Sequence, residues 1–127
     1  FIRSVLRRAL SDMLLGKTVD IRIDRPLGSH HPKHTDMIYP VNYGYVPHIF
    51  SADGEEVDVY LLGVSQPVEK YKGRVIAVIH RLDDVEDKWI AAPTGATFTL
   101  DEIEKAVNFQ EQYFQHEIEM LDPNGDQ

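Results

Sequence analysis

The stretch that decides the fold is Gly73-Arg-Val-Ile-Ala-Val-Ile-His80, followed after an acidic turn by Trp89-Ile-Ala-Ala92. Its β-branched and apolar residues favour a buried strand, and the charged turn between two such runs indicates a strand–turn–strand unit. Outward from it, Thr18–Ile23 alternates polar and apolar residues, which predicts a half-buried strand, and Val57–Val64 predicts another. The aromatic segment Met37–Pro47, which prolines and a glycine interrupt, predicts a short strand with tight turns.

Helices are predicted at the two ends of the chain. Residues 1–15 place apolar side chains at helical spacing, which favours a helix that packs on the domain or on another subunit over a transit peptide or surface anchor. Thr99 and Glu102 predict a capping box that begins a second helix, which is expected to reach about Leu121. Residues 122–127 are expected to fray.

Composition limits the architecture and the partners. The 127 residues are 43% apolar and 27% charged, which suits a single domain over residues 1–127. We expect an α+β domain, mainly β, in which short strands form a small β-barrel with flanking helices. No apolar run approaches the roughly 20 residues that span a bilayer, so no membrane partner is expected. The net charge of -8 argues against a nucleic-acid partner. With no cysteine, disulfides are excluded and a cytoplasmic location is the default expectation.

The first candidate site is the acidic run Asp53-Gly-Glu-Glu-Val-Asp58. Gly54 permits a tight turn, and in the extended segment that follows Glu56 and Asp58 share a face. Carboxylates gathered in this way need a compensating cation, because each one raises the pKa of its neighbours. Hard divalent ions such as Mg²⁺ bind oxygen ligands of this kind. The run therefore indicates either a magnesium site or an ordinary solvated turn.

A second acidic turn, Asp83-Asp-Val-Glu-Asp87, lies between the two strands quoted first and is followed by Lys88. By itself it is the tip of a charged hairpin. Because no single loop surrounds two metal ions, a second acidic turn from a neighbouring hairpin is what a two-metal site requires. Lys88 could then supply a fixed positive charge to a phosphate oxygen.

Two further segments stay open on the residues alone. The loop Gly28–His34 carries three histidines and a lysine, which suits an anion site or a polar surface loop. Zinc binding through His30 and His34 is disfavoured, because Pro32 between them opposes a helix. The stretch Tyr39–Pro47 is a packing segment whose tyrosine hydroxyls need partners.

Taken together, these segments resemble the soluble (family I) inorganic pyrophosphatases. Tyr39-Pro-Val-Asn-Tyr-Gly-Tyr-Val-Pro47 is similar to their Y-P-x-N-Y-G-[FY]-[IV]-P segment, and Asp53-Gly-Glu-Glu-Val-Asp58 is similar to their D-x-D-P-x-D signature. Upstream, Ile23–Ser29 resembles their I-E-x-P-x-G-S opening. Downstream, Val78–Pro93 resembles the strand–turn–strand that carries further metal-binding aspartates and a lysine. The resemblance covers about residues 18–120.

The resemblance implies a five-stranded OB-like barrel, magnesium as cofactor, a homo-oligomer, and attack of a metal-bound water on pyrophosphate or a related phosphoanhydride. By position, the metal ligands that it implies are Asp53, Asp58, Asp83 and Asp87. Glu55 holds the place of the carboxylate that takes the proton from the attacking water, so the implied catalytic residues are Glu55, Asp53 and Asp58. The implied substrate contacts are Lys33, Tyr43, Lys88 and Tyr113.

The chain departs from the family pattern in ways that bear on the substrate. Glu55 stands where the signature has aspartate, Glu56 where it has proline, and Phe114 where a phosphate-binding lysine is expected. The second turn is shorter, so either Glu86 or Asp87 is the fourth ligand. A hairpin with a phosphate-binding arginine has no counterpart. Three functions follow: hydrolysis of inorganic pyrophosphate, hydrolysis of another phosphorylated small molecule, or metal binding with little or no turnover.

Overall fold

The computed structural model describes residues 2–84 and 86–122. Its elements are, in chain order, α1 (Ile2–Leu14), β1 (Thr18–Arg25), β2 (Asn42–Phe50), β3 (Glu56–Leu61), β4 (Lys70–Arg81), β5 (Asp87–Ala92), α2 (Leu100–Glu111) and β6 (His116–Met120). The predicted frayed tail falls, from residue 123 onward, outside the described residues. Among the described helices, none has the length and apolar character needed to cross a membrane.

Five of the strands close into a barrel in the order β1-β2-β3-β5-β4, with β1 returning to pair with β4. The pairs are antiparallel except β3 with β5, which run parallel with Asp58 opposite Lys88. Closure depends on the length of β4, whose Lys70–Arg74 half pairs with β1 while β5 covers its other edge. The predicted α+β, mainly β, five-stranded barrel is confirmed.

Strand alternation divides the core into two clusters. In β3, Val57, Val59 and Leu61 belong to a cluster that also contains Leu14 of α1. Tyr60, between them, belongs to the other cluster, which contains the apolar side of α2. All six residues of β5 are buried, so this strand is covered on its two faces. The two helices therefore cover opposite sides of the strands, as the pleat of a sheet requires.

The capping box of α2 is confirmed. The Thr99 side chain accepts a hydrogen bond from the Glu102 backbone N–H, and the Glu102 carboxylate accepts one from the Thr99 backbone N–H. The expectation that this helix reaches about Leu121 is wrong, because α2 ends at Glu111 and the chain continues as β6. In β6 apolar and charged residues alternate, and the strand pairs with the Ala77–Arg81 half of β4. Residues 116–120 therefore form a strand, and not a continuation of α2, because they pair with the free edge of β4.

The predicted Met37–Pro47 strand begins only at Asn42 and continues to Phe50. Gly44 lies within this strand. A Cβ at its position would lie 1.8 Å from the backbone oxygen of Arg22 on β1. The backbones of β1 and β2 therefore approach too closely for any residue but glycine at this position.

Candidate functional site

A cavity of about 880 Å³ opens at one end of the barrel. The loop between β1 and β2 forms one side of it, and the end of α2 with the following turn forms another. Strand residues reach it from within the sheet: Asp24, Arg25, Tyr43, Asp58, Arg81 and Lys88. They come from all five strands of the barrel, so the closed barrel itself brings them together.

Lys88 is the cation at the centre of this end. It is 5% exposed, and its Nζ donates to Asp58 Oδ2 at 2.6 Å and to the Tyr43 hydroxyl at 2.9 Å. Its third partner is Glu86, whose Oε1 lies 2.7 Å away. Burial alone would lower the pKa of Lys88, but its interactions with Tyr43 and the two carboxylates outweigh burial and raise it. Lys88 is therefore positively charged across the physiological pH range.

Tyr43 is 5% exposed, and burial raises the pKa of its phenol against the opposing effect of Lys88. The hydroxyl consequently stays neutral. Because it accepts from Lys88 Nζ, its own proton is directed to another acceptor. The pair presents an ammonium group and a hydroxyl donor in one cavity.

Asp53 lies in the turn between β2 and β3, where its Oδ1 accepts hydrogen bonds from the Ser51 hydroxyl and the Glu55 backbone N–H. Partial burial opposes ionisation, yet these bonds and one from Glu86 lower the pKa of Asp53. For Glu86, burial and the charges of Asp58 and Asp53 outweigh Lys88 and raise the pKa. The pKa values of these two neighbouring carboxyl groups are therefore shifted in opposite directions.

The donor chemistry of Asp53, Asp58 and Glu86 suits a hard divalent cation. Their present arrangement is that of ion pairs, since Lys88 Nζ lies between Asp58 and Glu86. Over residues 2–84 and 86–122, no three or more His, Asp or Glu side chains are arranged as a metal-binding group.

The other two predicted metal ligands lie apart from this cluster. Asp83 is exposed, and its Oδ2 accepts from the Gln115 backbone N–H at 3.4 Å. Asp87 is 5% exposed and forms ion pairs with Arg7 of α1 and, at 3.3 Å, with His80 of β4. These contacts outweigh burial and lower the pKa of Asp87. Asp87 therefore joins α1 to the barrel on the other face of β5 from Lys88.

The remaining predicted residues are on the surface. Glu55 is exposed at the tip of the β2–β3 turn, and Tyr113, 68% exposed, is on the rim of the cavity. Lys33 is exposed in the loop, where its backbone N–H donates to the His31 ring, while His31 and His34 line the cavity. The structure thus joins Tyr43, Asp58 and Lys88, with Tyr113 at the rim. The roles of all the predicted site residues stay predictions.

Sequence reasoning missed a buried network beside the cavity. Glu111, fully buried, accepts from Arg81 at 3.1 and 2.7 Å and from the Tyr60 hydroxyl at 2.6 Å. The Arg81 guanidinium also lies 3.7 Å from the centre of the Phe114 ring. A signal was present: Glu111 falls four residues after Val107, on the apolar stripe of α2. A carboxylate at such a position implies a buried cationic partner.

Arg25 was missed as well. Its Nη1 donates to the Tyr39 hydroxyl at 2.6 Å, and its guanidinium lies 5.7 Å from the ring centres of Tyr39 and Tyr43. It adds a third cation to the cavity beside Lys88 and Arg81. Its only sequence signal was a charge at the end of an alternating strand, which is not specific.

The sequence of this chain is similar to those of known proteins. The family model described as inorganic pyrophosphatase matches residues 16–120. An inorganic pyrophosphatase of Saccharolobus solfataricus is 37% identical over 81 residues, which cover 61% of this chain and 44% of that protein. One of Rickettsia felis is 37% identical over 76 residues, covering 56% and 44%. The chain thus spans less than half the length of these relatives.

A solved structure has the same fold. The crystal structure of inorganic pyrophosphatase from Ehrlichia chaffeensis superposes with a TM-score of 0.65 at 20% identity, covering 84% of this chain and 88% of that one. At this identity the likeness concerns the fold alone. The family assignment rests on the sequence match, which takes in every strand of the barrel and α2. The chain belongs to the inorganic pyrophosphatase family.

Proposed function

We propose that the protein is a metal-dependent hydrolase that cleaves inorganic pyrophosphate to two phosphates. The observation that carries the proposal is the buried Lys88 ammonium, which the β3–β5 pairing places beside Asp58 and the Tyr43 hydroxyl in an open cavity. A fixed cation and a neutral donor that converge in this way can bind a phosphate oxygen and stabilise charge on the leaving group.

In this reaction the oxygen of water bonds to one phosphorus, the bond from that phosphorus to the bridging oxygen breaks, and the bridging oxygen keeps the electron pair. Lys88 and Tyr43 contact the phosphate oxygens, with Lys33 and Tyr113 proposed as further contacts. Asp53, Asp58 and Glu55 are the proposed catalytic carboxylates, one of which takes the proton of the attacking water.

A divalent ion, proposed to be Mg²⁺, supplies positive charge and acidifies water when it is bound. Asp53 and Asp58 are its proposed ligands, and Asp83 is kept as a third from the sequence prediction. For the fourth ligand, the proposal prefers Glu86 to Asp87, because Glu86 contacts Lys88 beside Asp58 whereas Asp87 contacts Arg7 and His80.

Partners and location are also proposals. The charge of -8 supports a protein that does not bind nucleic acid, and a cytoplasmic place of action away from membranes is retained from the composition. The exposed apolar side chains of α1, at Val5, Leu6 and Met13, support a homo-oligomer.

The test is phosphate release from pyrophosphate with and without Mg²⁺. Asp58→Asn keeps a side-chain acceptor for Lys88 but removes the charge, and we expect kcat to fall at least about 100-fold. The matched control is Asp20→Asn on β1, where the carboxylate is 81% exposed and 3.8 Å from Lys72, and it should leave kcat unchanged.

Chelation of the metal should abolish the activity of the wild-type protein, and added Mg²⁺ should restore it. If Asp58→Asn folds and retains wild-type turnover, the proposed site is wrong. If the wild-type protein releases no phosphate at any Mg²⁺ concentration, the reading as a metal-binding protein without turnover replaces the proposal.

A further inference from the structure

The cavity is larger than inorganic pyrophosphate requires, and part of its wall is apolar. Its volume of about 880 Å³ lies near the upper end of the range, about 300–1,000 Å³, in which drug-sized ligands bind. Its cations are confined to the strand residues Arg25, Arg81 and Lys88. Pyrophosphate has no apolar surface, so cations and donors alone would serve it.

The rim opposite the strands carries exposed apolar side chains among polar ones, which include Asp36 and Gln112. Ile38 from the loop is 52% exposed, and Tyr113 after α2 is 68% exposed. Met37 and Phe109 line the same space. Apolar side chains left exposed inside a concave, partly charged site are those that a ligand would cover.

One wall consists of an aromatic series that ends in the cavity. The His34 and His31 ring centres are 4.9 Å apart with their planes tilted by 43°. His31 in turn stacks on Tyr39 at 6.2 Å with 9° between the ring planes. Tyr39 is fully buried and contacts the Phe109 ring edge-on at 5.2 Å, so the series is anchored in the core. Slight burial and the charge of Arg25 lower the pKa of His31, which keeps its ring neutral. A planar group can continue this series beyond His34.

Resting on the hydrolase function proposed above, we propose that the cavity takes a phosphoanhydride bearing an aromatic organic group, of which a nucleoside 5′-diphosphate is the simplest. The anhydride lies at the Lys88 end, and the base lies on the His31–His34 wall. Water bonds to the terminal phosphorus, the bond from that phosphorus to the bridging oxygen breaks, and the electron pair leaves with the nucleoside monophosphate. The water proton goes to a carboxylate of the site, and the products are phosphate and the monophosphate.

The test measures Mg²⁺-dependent hydrolysis of ADP and of pyrophosphate in parallel, with AMP and phosphate quantified as products. His34→Ala removes the outermost ring of the wall without touching the Lys88 cluster. We expect its KM for ADP to rise about ten-fold, equivalent to about 1.4 kcal/mol of lost stacking, and its KM for pyrophosphate to change less than two-fold. His30→Ala is the matched control, since that exposed ring contacts the Thr35 carbonyl instead, and neither KM should change more than two-fold.

The outcomes separate this inference from the function on which it rests. Cleavage of ADP with the selective His34 effect supports it. Cleavage of pyrophosphate while ADP stays intact overturns it and leaves the proposed function standing. Equal changes for the two substrates in His34→Ala overturn the aromatic wall as the binding surface. If neither compound is cleaved, the hydrolase function fails and the inference falls with it.

Discussion

Removal of the Glu111 carboxylate should destabilise the protein far more than removal of a surface charge. Glu111→Ala leaves the Arg81 guanidinium, 4% exposed, without the two hydrogen bonds that hold it, and leaves the Tyr60 hydroxyl without its acceptor. Breaking a buried ion pair from one side costs about 3–5 kcal/mol, because the remaining charge stays buried. The longer contacts of Arg81 with Asp84 at 3.6 Å and Glu86 at 3.7 Å compensate that charge only in part. A domain of this size has about 5–15 kcal/mol of stability in total. The variant should therefore lose a large part of its stability at 25 °C.

Trp89 makes the assay direct, since it is the only tryptophan of the chain and is fully buried. Urea unfolding followed by its fluorescence gives the free energy of unfolding. Lys105→Ala serves as the control, because its pair with Asp101 is 3.1 Å long but highly exposed, and it should cost less than about 1 kcal/mol. Replacing both partners by Arg81→Met with Glu111→Leu should return the stability to within about 2 kcal/mol of wild type. A loss below about 1 kcal/mol for Glu111→Ala, or no recovery in the double variant, would refute the reasoning.

Two further substitutions test contacts that stabilise the fold. Gly44→Ala should lower the free energy of unfolding by at least about 3 kcal/mol, at the upper end of overpacking effects, because its methyl group would lie 1.8 Å from the backbone oxygen of Arg22. Urea unfolding measures this loss, and an unchanged stability would contradict the close approach of β1 and β2. For His116, burial is outweighed by the hydrogen bond to Glu104 at 2.9 Å, so its pKa is raised in the folded protein. The stabilisation, about 0.2–1 kcal/mol for such a pair, is complete below the unfolded-state pKa and is lost as the pH rises through the folded-state pKa. The pH dependence of unfolding should be flatter in His116→Gln, and an unchanged profile would remove this pair as its source.

Local patterns were enough to predict β1, the central part of β4 and the start of α2. The alternation in Thr18–Ile23, the β-branched Gly73–His80 run and the Thr99 capping box each depend on neighbouring residues alone, and each lies within or at the start of an observed element. The error at the C-terminus has the opposite cause. Residues 116–120 form β6 only because β4 is long enough to offer them an edge beyond β1, which is information carried forty residues away in the chain.

The candidate site could be predicted as a set of residue types but not as a geometry. Asp58 and Lys88 are neighbours because β3 and β5 pair in parallel. Parallel strands are joined by a crossover connection, so no local sequence pattern predicts that these two pair. The Arg81–Glu111 pair joins β4 to α2 in the same non-local way. From the sequence, the one visible signal of this pair was a charged residue, Glu111, on the apolar side of α2. That signal did not identify the cation with which Glu111 pairs.

The proposed preference for Glu86 over Asp87, which the sequence leaves open, rests on the face of the extended segment that each side chain occupies. Successive side chains of an extended segment point to opposite faces, so residues two apart share a face. Lys88 faces the cavity, where it contacts Tyr43, and Glu86 reaches the same ammonium at 2.7 Å. Asp87, between them, must face the other way, and there it meets Arg7 and His80. Adjacent acids thus have separate surroundings: Glu86 contacts the cavity cation Lys88, and Asp87 pairs with Arg7 of α1 and His80 of β4.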